Sequence, residues 1–317
     1  MSGPVAIATA AAKRILAIGT FRKLALDSAR ARHRRLILLY HRVGPAGPAP
    51  HEIVPTVPVS VFREQVQILH DLGRIVSLAD IVADDGDGPM EQPEFAISFD
   101  DDYRCHVEHV LPVLQEFDTT ATFFLSGRAL ADLGPYWWER LEAEIRRHGL
   151  DSAGRRLGIQ ADSPAALAAA CEGTPIVGQL EELDPAGTIA PLTADEIKRL
   201  AAAGMTIGFH TLHHPRLTDL GVADVDRHLT EGRDALERLI GQKLDLFAYP
   251  HGRATEAIAR RAGSAGYGAA FITSGRPAHP GVDRHLISRW EPSIDRHQRF
   301  QPEVVMRLLM PTVVRRR

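Results

Sequence analysis

The sequence predicts an α/β fold, a parallel sheet closed toward a barrel and wrapped in helices, on three observations. From residue 36 onward, short apolar runs rich in β-formers alternate with segments of helical period, the pattern of strands joined by crossover helices. These runs number seven, a barrel-like count. Several end directly in clusters of Asp or His, and in barrels the loops at the carboxyl ends of strands carry the chemistry.

The expected strands are Leu36–Tyr40, Phe95–Phe99, Thr122–Leu125, Thr206–Phe209, Leu246–Tyr249, Ala269–Ile272 and a weaker one near Leu286. Between the first two, Phe62, Val66, Leu69 and Leu72 form one helical stripe; Val107, Val110, Leu111, Leu114 and Phe117 form the next. Thr193 followed by Glu196 reads as a capping box opening a helix that Gly204 ends. Two long connections break the rhythm. Gly44–Pro58 is rich in Pro and Gly. The segment from about 131 to 191 is too long for a simple loop and is expected to be a helical insertion over the carboxyl-end face. Its Trp137 and Trp138 serve either as a sugar-stacking platform or as a satellite core under the insertion. The expected organisation is therefore a basic helical extension over 1–35, a barrel over 36–295 and a tail over 296–317.

Composition excludes several classes. At 44% hydrophobic and 24% charged, the 317-residue chain is globular in type. A net charge of −3 gives no global attraction to nucleic acid. With only Cys105 and Cys171, a disulfide framework or a four-thiolate metal site is out of reach. There is neither a long apolar span nor a recognisable export signal, so the expected compartment is the cytoplasm. Residues 1–40 nevertheless carry Lys13, Arg14, Arg22, Lys23, Arg30, Arg32, Arg34 and Arg35 against Asp27 alone. Such a segment is either a solvated helix or a contact with an anionic membrane surface.

Three clusters carry chemistry. Ser98-Phe99-Asp100-Asp101-Asp102 places adjacent carboxylates at the end of an apolar strand, where like charges need a compensating cation; an acidic turn opening a helix is the other reading. His210-Thr211-Leu212-His213-His214 sets two imidazoles four residues apart, a spacing that one helical turn brings to one side. Two such nitrogens with an Asp oxygen make a three-ligand site that suits Zn2+ or another divalent transition metal. Tyr249-Pro250-His251-Gly252 offers a stiff turn able to aim an N–H at a reacting carbonyl. His41, just past the first strand, shares this face.

With these motifs the chain, over about residues 36–290, resembles the polysaccharide deacetylase family, the carbohydrate esterases with the NodB homology domain. Ser98-Phe99-Asp100-Asp101-Asp102 is similar to the family's T-F-D-D-G motif, and His210 to His214 matches H-S/T-x-x-H. The resemblance implies a distorted (β/α)7 TIM-like barrel that hydrolyses N-acetyl groups of amino sugars, with Asp100 as general base and Asp101, His210 and His214 as metal ligands. Ala248-Tyr249-Pro250-His251-Gly252 matches R-x-P-Y-G in part, which implies His251 as backbone oxyanion donor. Ala248 replaces the Arg that orients the base, a role assigned here to Arg289; Asp102 replaces a Gly. The acid is assigned to His41, because Leu38-Leu39-Tyr40-His41 is similar to the arrangement of biofilm poly-N-acetylglucosamine deacetylases. Tyr249, Trp137 and Trp138 are expected at the substrate, an acetylated carbohydrate. A small cyclic imide or ureide hydrolase, or a carbohydrate-binding member with impaired turnover, is the alternative.

Overall fold

The structure is a computed structural model that describes residues 19–180 and 191–311. A first helix, α1 (19–31), leads through a short turn into β1 (Arg35–Tyr40). The central sheet runs β1, β5 (Glu94–Asp100), β6 (Thr122–Leu125), β7 (Thr206–Phe209), β8 (Leu246–Ala248), β9 (Ala269–Thr273) and β10 (Ile287–Arg289), with every neighbouring pair parallel. The ring closes where Leu38 bridges Trp290, through Leu39 N–H to the Trp290 carbonyl and Trp290 N–H to the Ile37 carbonyl, both 2.8 Å. These are the seven strands expected, with boundaries shifted by a residue or so.

Three shorter strands escape the sequence pattern. β2 (Arg42–Gly44) and β3 (Thr56–Pro58) pair with each other and bracket the Pro-rich connection. β4 (Arg74–Ile75) pairs with the amino end of β5, where β6 is not yet alongside.

Parity along the strands decides what faces the barrel axis. Leu36, Leu38 and Tyr40 of β1 and Phe95, Ile97 and Phe99 of β5 point outward into the large core beneath the helices. Ile37, Ala96, Phe124, Leu246, Ala248, Phe271 and Ile287 point inward and fill the barrel. The outer core is covered by α2 (Val59–Leu72), which buries the expected Phe62, Val66, Leu69 and Leu72 stripe. A π-helical turn over His106–Val110 runs into α4 (Leu111–Glu116) and buries Val107, Val110, Leu111 and Leu114 of the next stripe, with Phe117 partly buried. Thr193 and Glu196 form the expected capping box on α8 (Ala194–Ala202), with Glu196 accepting from Thr193 N–H at 2.8 Å. After β4 comes the short α3 (Leu78–Ala83); α9 (Val222–Thr230) and α10 (Arg233–Ile240) follow β7, and α11 (Glu256–Ser264) follows β8.

Between β6 and α8 stand α5 (Trp137–His148), α6 (Leu150–Leu157) and α7 (Pro164–Cys171). They hold a small core of their own around Leu141, Ile145, Leu167 and Cys171. The carboxyl-terminal segment is more than the expected tail. Within it α12 (Phe300–Leu309) buries Phe300, Val304 and Leu308 in the main core, and Phe300 stacks on Trp290 at 5.7 Å. Among the described residues no helix is long and apolar enough to cross a membrane.

Candidate active site

The inward parity of the strands runs to their carboxyl ends and, at His41 and His210, one step past them. Ser98 and Asp100 continue the inward face of Ala96, Arg289 that of Ile287, His41 that of Ile37, and His210 that of Gly208. Polar side chains from four separate stretches of sequence therefore converge at one mouth of the barrel.

Asp100 is buried and gripped by Arg289, whose Nη1 and Nη2 donate to Oδ1 and Oδ2 at 2.6 and 2.7 Å. Arg289 is fully buried, also reaches Ser98 Oγ at 3.3 Å, and lies over the Phe124 ring. Burial works to raise the Asp100 pKa; the charges of Arg289, His210 and His41 outweigh it and hold the carboxyl below its ordinary value.

Asp101 turns away at φ 72°, a left-handed conformation that Asp tolerates better than most residues. Its Oδ1 is buried without a hydrogen-bond partner and lies 3.9 Å from His210 Nε2 and 3.9 Å from His214 Nε2. His210 donates Nδ1–H to the Ala248 carbonyl at 2.8 Å, which turns Nε2 toward Asp101. One ligand atom from each of the three residues falls within a 4.8 Å group. An orphaned buried carboxylate oxygen facing two imidazole nitrogens fits a divalent cation with ligand bonds of ~2 Å.

The imidazoles do not converge by a helical turn, as their spacing suggested. Thr211 and His214 both adopt left-handed backbone, at φ 61° and 53°, and His214 N–H donates to Thr211 Oγ1 at 3.1 Å. The loop folds back on itself and brings the rings to 5.0 Å between centroids. Burial, followed by the nearby His210 and His251, drives the His214 pKa well below the ordinary histidine value, so its ring is neutral.

Asp102 has a separate task. Its carboxylate points away from the cluster and accepts from the Ser126 and Arg128 backbone N–H groups at 2.6 and 2.7 Å, tying the loop after β6 to the loop after β5. The residue that replaces a glycine is thus a staple between strand ends.

His41 Nδ1 lies 3.3 Å from Glu291 Oε1, just past β10. His106, a neutral ring whose pKa burial lowers to about 4, donates Nε2–H to the His41 carbonyl at 2.8 Å and fixes the backbone there. His251 sits at φ 58° with its ring Nε2 2.8 Å from Glu172 Oε1. The following Gly252 is also left-handed, and a side chain on it would meet Thr273 Oγ1 at 2.3 Å.

Tyr249 does not reach this site and corrects the expectation. It shares the outward parity of Phe247, is buried under the helices, and donates its hydroxyl to the His285 carbonyl at 3.0 Å. Trp137 and Trp138 do line the cleft. Trp138 stacks on Tyr136 at 4.2 Å, donates Nε1–H to Tyr103 Oη and abuts His214 at 4.9 Å, while Trp137 packs against the insertion core. Sequence reasoning missed Glu291 and Glu172. The first stands just past a strand end, which was a usable signal; the second is brought in by tertiary folding alone.

The parallel barrel thus gathers paired carboxylates and two imidazoles at its carboxyl-end mouth, a donor set able to hold a metal ion. The chain belongs to the polysaccharide deacetylase family, which residues 87–270 match. It is accordingly a deacetylase, a hydrolase of amide bonds whose substrate is an acetylated carbohydrate. Among solved structures it is similar to the deacetylase PplD of Streptococcus pyogenes, at 16% identity and TM-score 0.62 over 87% of this chain and 99% of that one. It is also similar to IcaB from Ammonifex degensii, at 17% identity and TM-score 0.58 over 87% and 97%. A third is a de-N-acetylase from Aggregatibacter actinomycetemcomitans, at 16% identity and TM-score 0.56 over 83% and 96%. These likenesses establish the fold. No curated protein matches the sequence.

Proposed function

We propose that the protein is a metal-dependent deacetylase that hydrolyses the N-acetyl group of an amino sugar in a glycan or glycan precursor. The observation that carries this reading is the division of labour between adjacent carboxylates: Asp101 Oδ1 is buried and unpartnered beside two imidazoles, while Asp100 is held by Arg289. Asp101, His210 and His214 hold the metal, and Zn2+ suits the donor set. A cation bound there supplies Lewis acidity, lowering the pKa of water from about 15.7 toward about 7 and polarising an amide carbonyl.

The chain's own groups do the rest. Asp100, ionised and aimed by Arg289, takes the proton of the attacking water. The His251 backbone N–H, presented by its left-handed turn, stabilises charge on the acetyl oxygen. His41, protonated beside Glu291, delivers a proton to the departing nitrogen, so that the C–N bond breaks to acetate and a free amine. Metal analysis of the purified protein combined with acetate release on a panel of N-acetylated sugars tests the reading. Protein that releases acetate at full rate after complete metal removal would overturn it.

We also propose that the extension over 1–35 meets an anionic membrane surface through the exposed side of α1; Arg34 and Arg35 take no part, being buried against the Leu308 carbonyl and against Glu94 and Asp84. Phe21 and Leu24 are 48% and 64% exposed on α1, beside exposed Arg22 and Lys23, an apolar and cationic combination suited to a lipid interface. The full chain should float with vesicles containing anionic lipid, and Phe21→Glu with Leu24→Glu should stay at the bottom of the gradient. Equal flotation of both would reject this placement.

A further inference from the structure

The helices α5 to α7 form a roof fastened on opposite sides of the barrel mouth. On the β1 side, Glu142 of α5 accepts from Ile53 and Val54 N–H at 2.6 and 3.0 Å, and from Arg42 Nη1 at 2.7 Å. On the β7–β8 side, Glu172 at the end of α7 meets His251 Nε2 at 2.8 Å and also pairs with Arg216. In the strand order of the ring, β1 and the β7–β8 pair stand across from each other. The roof therefore spans a diameter of the mouth, and its own apolar core makes it a body rather than a loose loop.

The space beneath is a cavity of about 340 Å³. Its lining joins the Asp101, His210 and His214 cluster of the barrel to Ala168 and Ala169 of α7, Trp137 of α5, and Ile53 and Val54. That volume lies at the low end of ligand pockets, ~300 Å³ being the size that holds one small molecule. A glycan running through the site needs a trough open at both ends, whereas Glu172, with Arg216 and His251, ties α7 down to the β7–β8 side within the lining itself.

Resting on the deacetylase reading above, we infer that the site takes a single N-acetylated sugar at a chain end or on a single carrier, and excludes residues in the interior of a polymer. The terminal sugar sits under the roof. The remainder of the molecule leaves past Thr273 and Glu291, at the ends of β9 and β10, on the side between the two fastenings.

The test uses the full, metal-loaded chain on N-acetylated hexosamine oligomers of graded length and differing linkage, with the free amine located by mass-spectrometric sequencing. The expected result is deacetylation confined to one terminal residue, at an initial rate per molecule that does not grow with chain length. In Glu172→Ala this tie is cut, and the ratio of internal to terminal deacetylation should rise by at least about tenfold, the scale on which a reshaped pocket alters discrimination. Arg216→Ala supplies a second cut through the same tie should the first variant fold poorly. Wild-type protein that removes acetyl groups from interior residues as readily as from ends would overturn this inference and leave the deacetylase reading standing. Absence of acetate from every oligomer would overturn that reading, and this inference with it.

Discussion

Arg289 closes both of its terminal nitrogens on the carboxylate of Asp100, at 2.6 and 2.7 Å, from β10 to β5 with β1 between them. Both residues point inward by parity, and the small Ala248 and Ala96 side chains are among their inward-facing companions. The guanidinium that the motif around Ala248 lacks is thus supplied from another strand. Arg289→Ala should cost about 3–5 kcal/mol of stability, because it leaves a buried carboxylate uncompensated. Arg289→Lys should retain much of that stability and still lose activity, since a lysine has no two-pronged grip with which to aim the base. Denaturant unfolding and steady-state rates on the two variants separate the effects.

The adjacent carboxylates should fail in different ways. Asp100→Asn is expected to keep its metal and lose about 10²–10⁴-fold in rate, the usual worth of a general base. His210→Ala or Asp101→Asn should instead emerge with depleted metal. Elemental analysis alongside acetate release checks both, and parent activity in Asp100→Asn would reject the base assignment.

Rate should depend on pH through His41. Burial lowers its pKa, but Glu291 and then the Asp101 and Asp100 charges outweigh burial and raise it to about 9. The protonated ring is the form that serves as acid, so activity persists through neutral pH and falls as pH rises through about 9. Glu291→Gln removes the leading partner and should move the alkaline limb of kcat to lower pH. An unmoved limb would separate His41 from the proton delivery.

Asp102 makes a counterintuitive prediction. Restoring the glycine of the related motif, by Asp102→Gly, strips two backbone N–H groups of their buried acceptor. The expected loss is about 1–3 kcal/mol for each group left unsatisfied. Thermal unfolding of the variant should show a clear decrease; a gain in stability would contradict the staple described here.

Most of the barrel was legible because its strands are buried on both faces and read as unbroken apolar runs bounded by turn residues. The convergence of Asp101, His210 and His214 was legible for a related reason, since reactive residues stood where those runs stopped. Tyr249 was misplaced because motif membership was followed instead of parity: counting from Phe247 puts its side chain outside. The His210–His214 turn was misread because spacing alone cannot distinguish a helical turn from two left-handed residues. The strands β2, β3 and β4 are two or three residues long and carry too little periodicity to detect. Glu172 reached the site through the docking of a whole helical unit, which no local pattern encodes.

The barrel is joined at its seam by the parallel bridge of Leu38 to Trp290, with the antiparallel bridge of Arg35 to Ala278 at the amino end of β1. His41 lies three residues beyond Leu38 on one lip of that seam, and Glu291 lies next to Trp290 on the other. A loosening of the Leu38 to Trp290 bridge therefore widens the gap between His41 and its counter-ion. The amides of Leu39 and Trp290 then become natural gauges of whether the proton donor is poised, and slow hydrogen exchange there should accompany a competent enzyme.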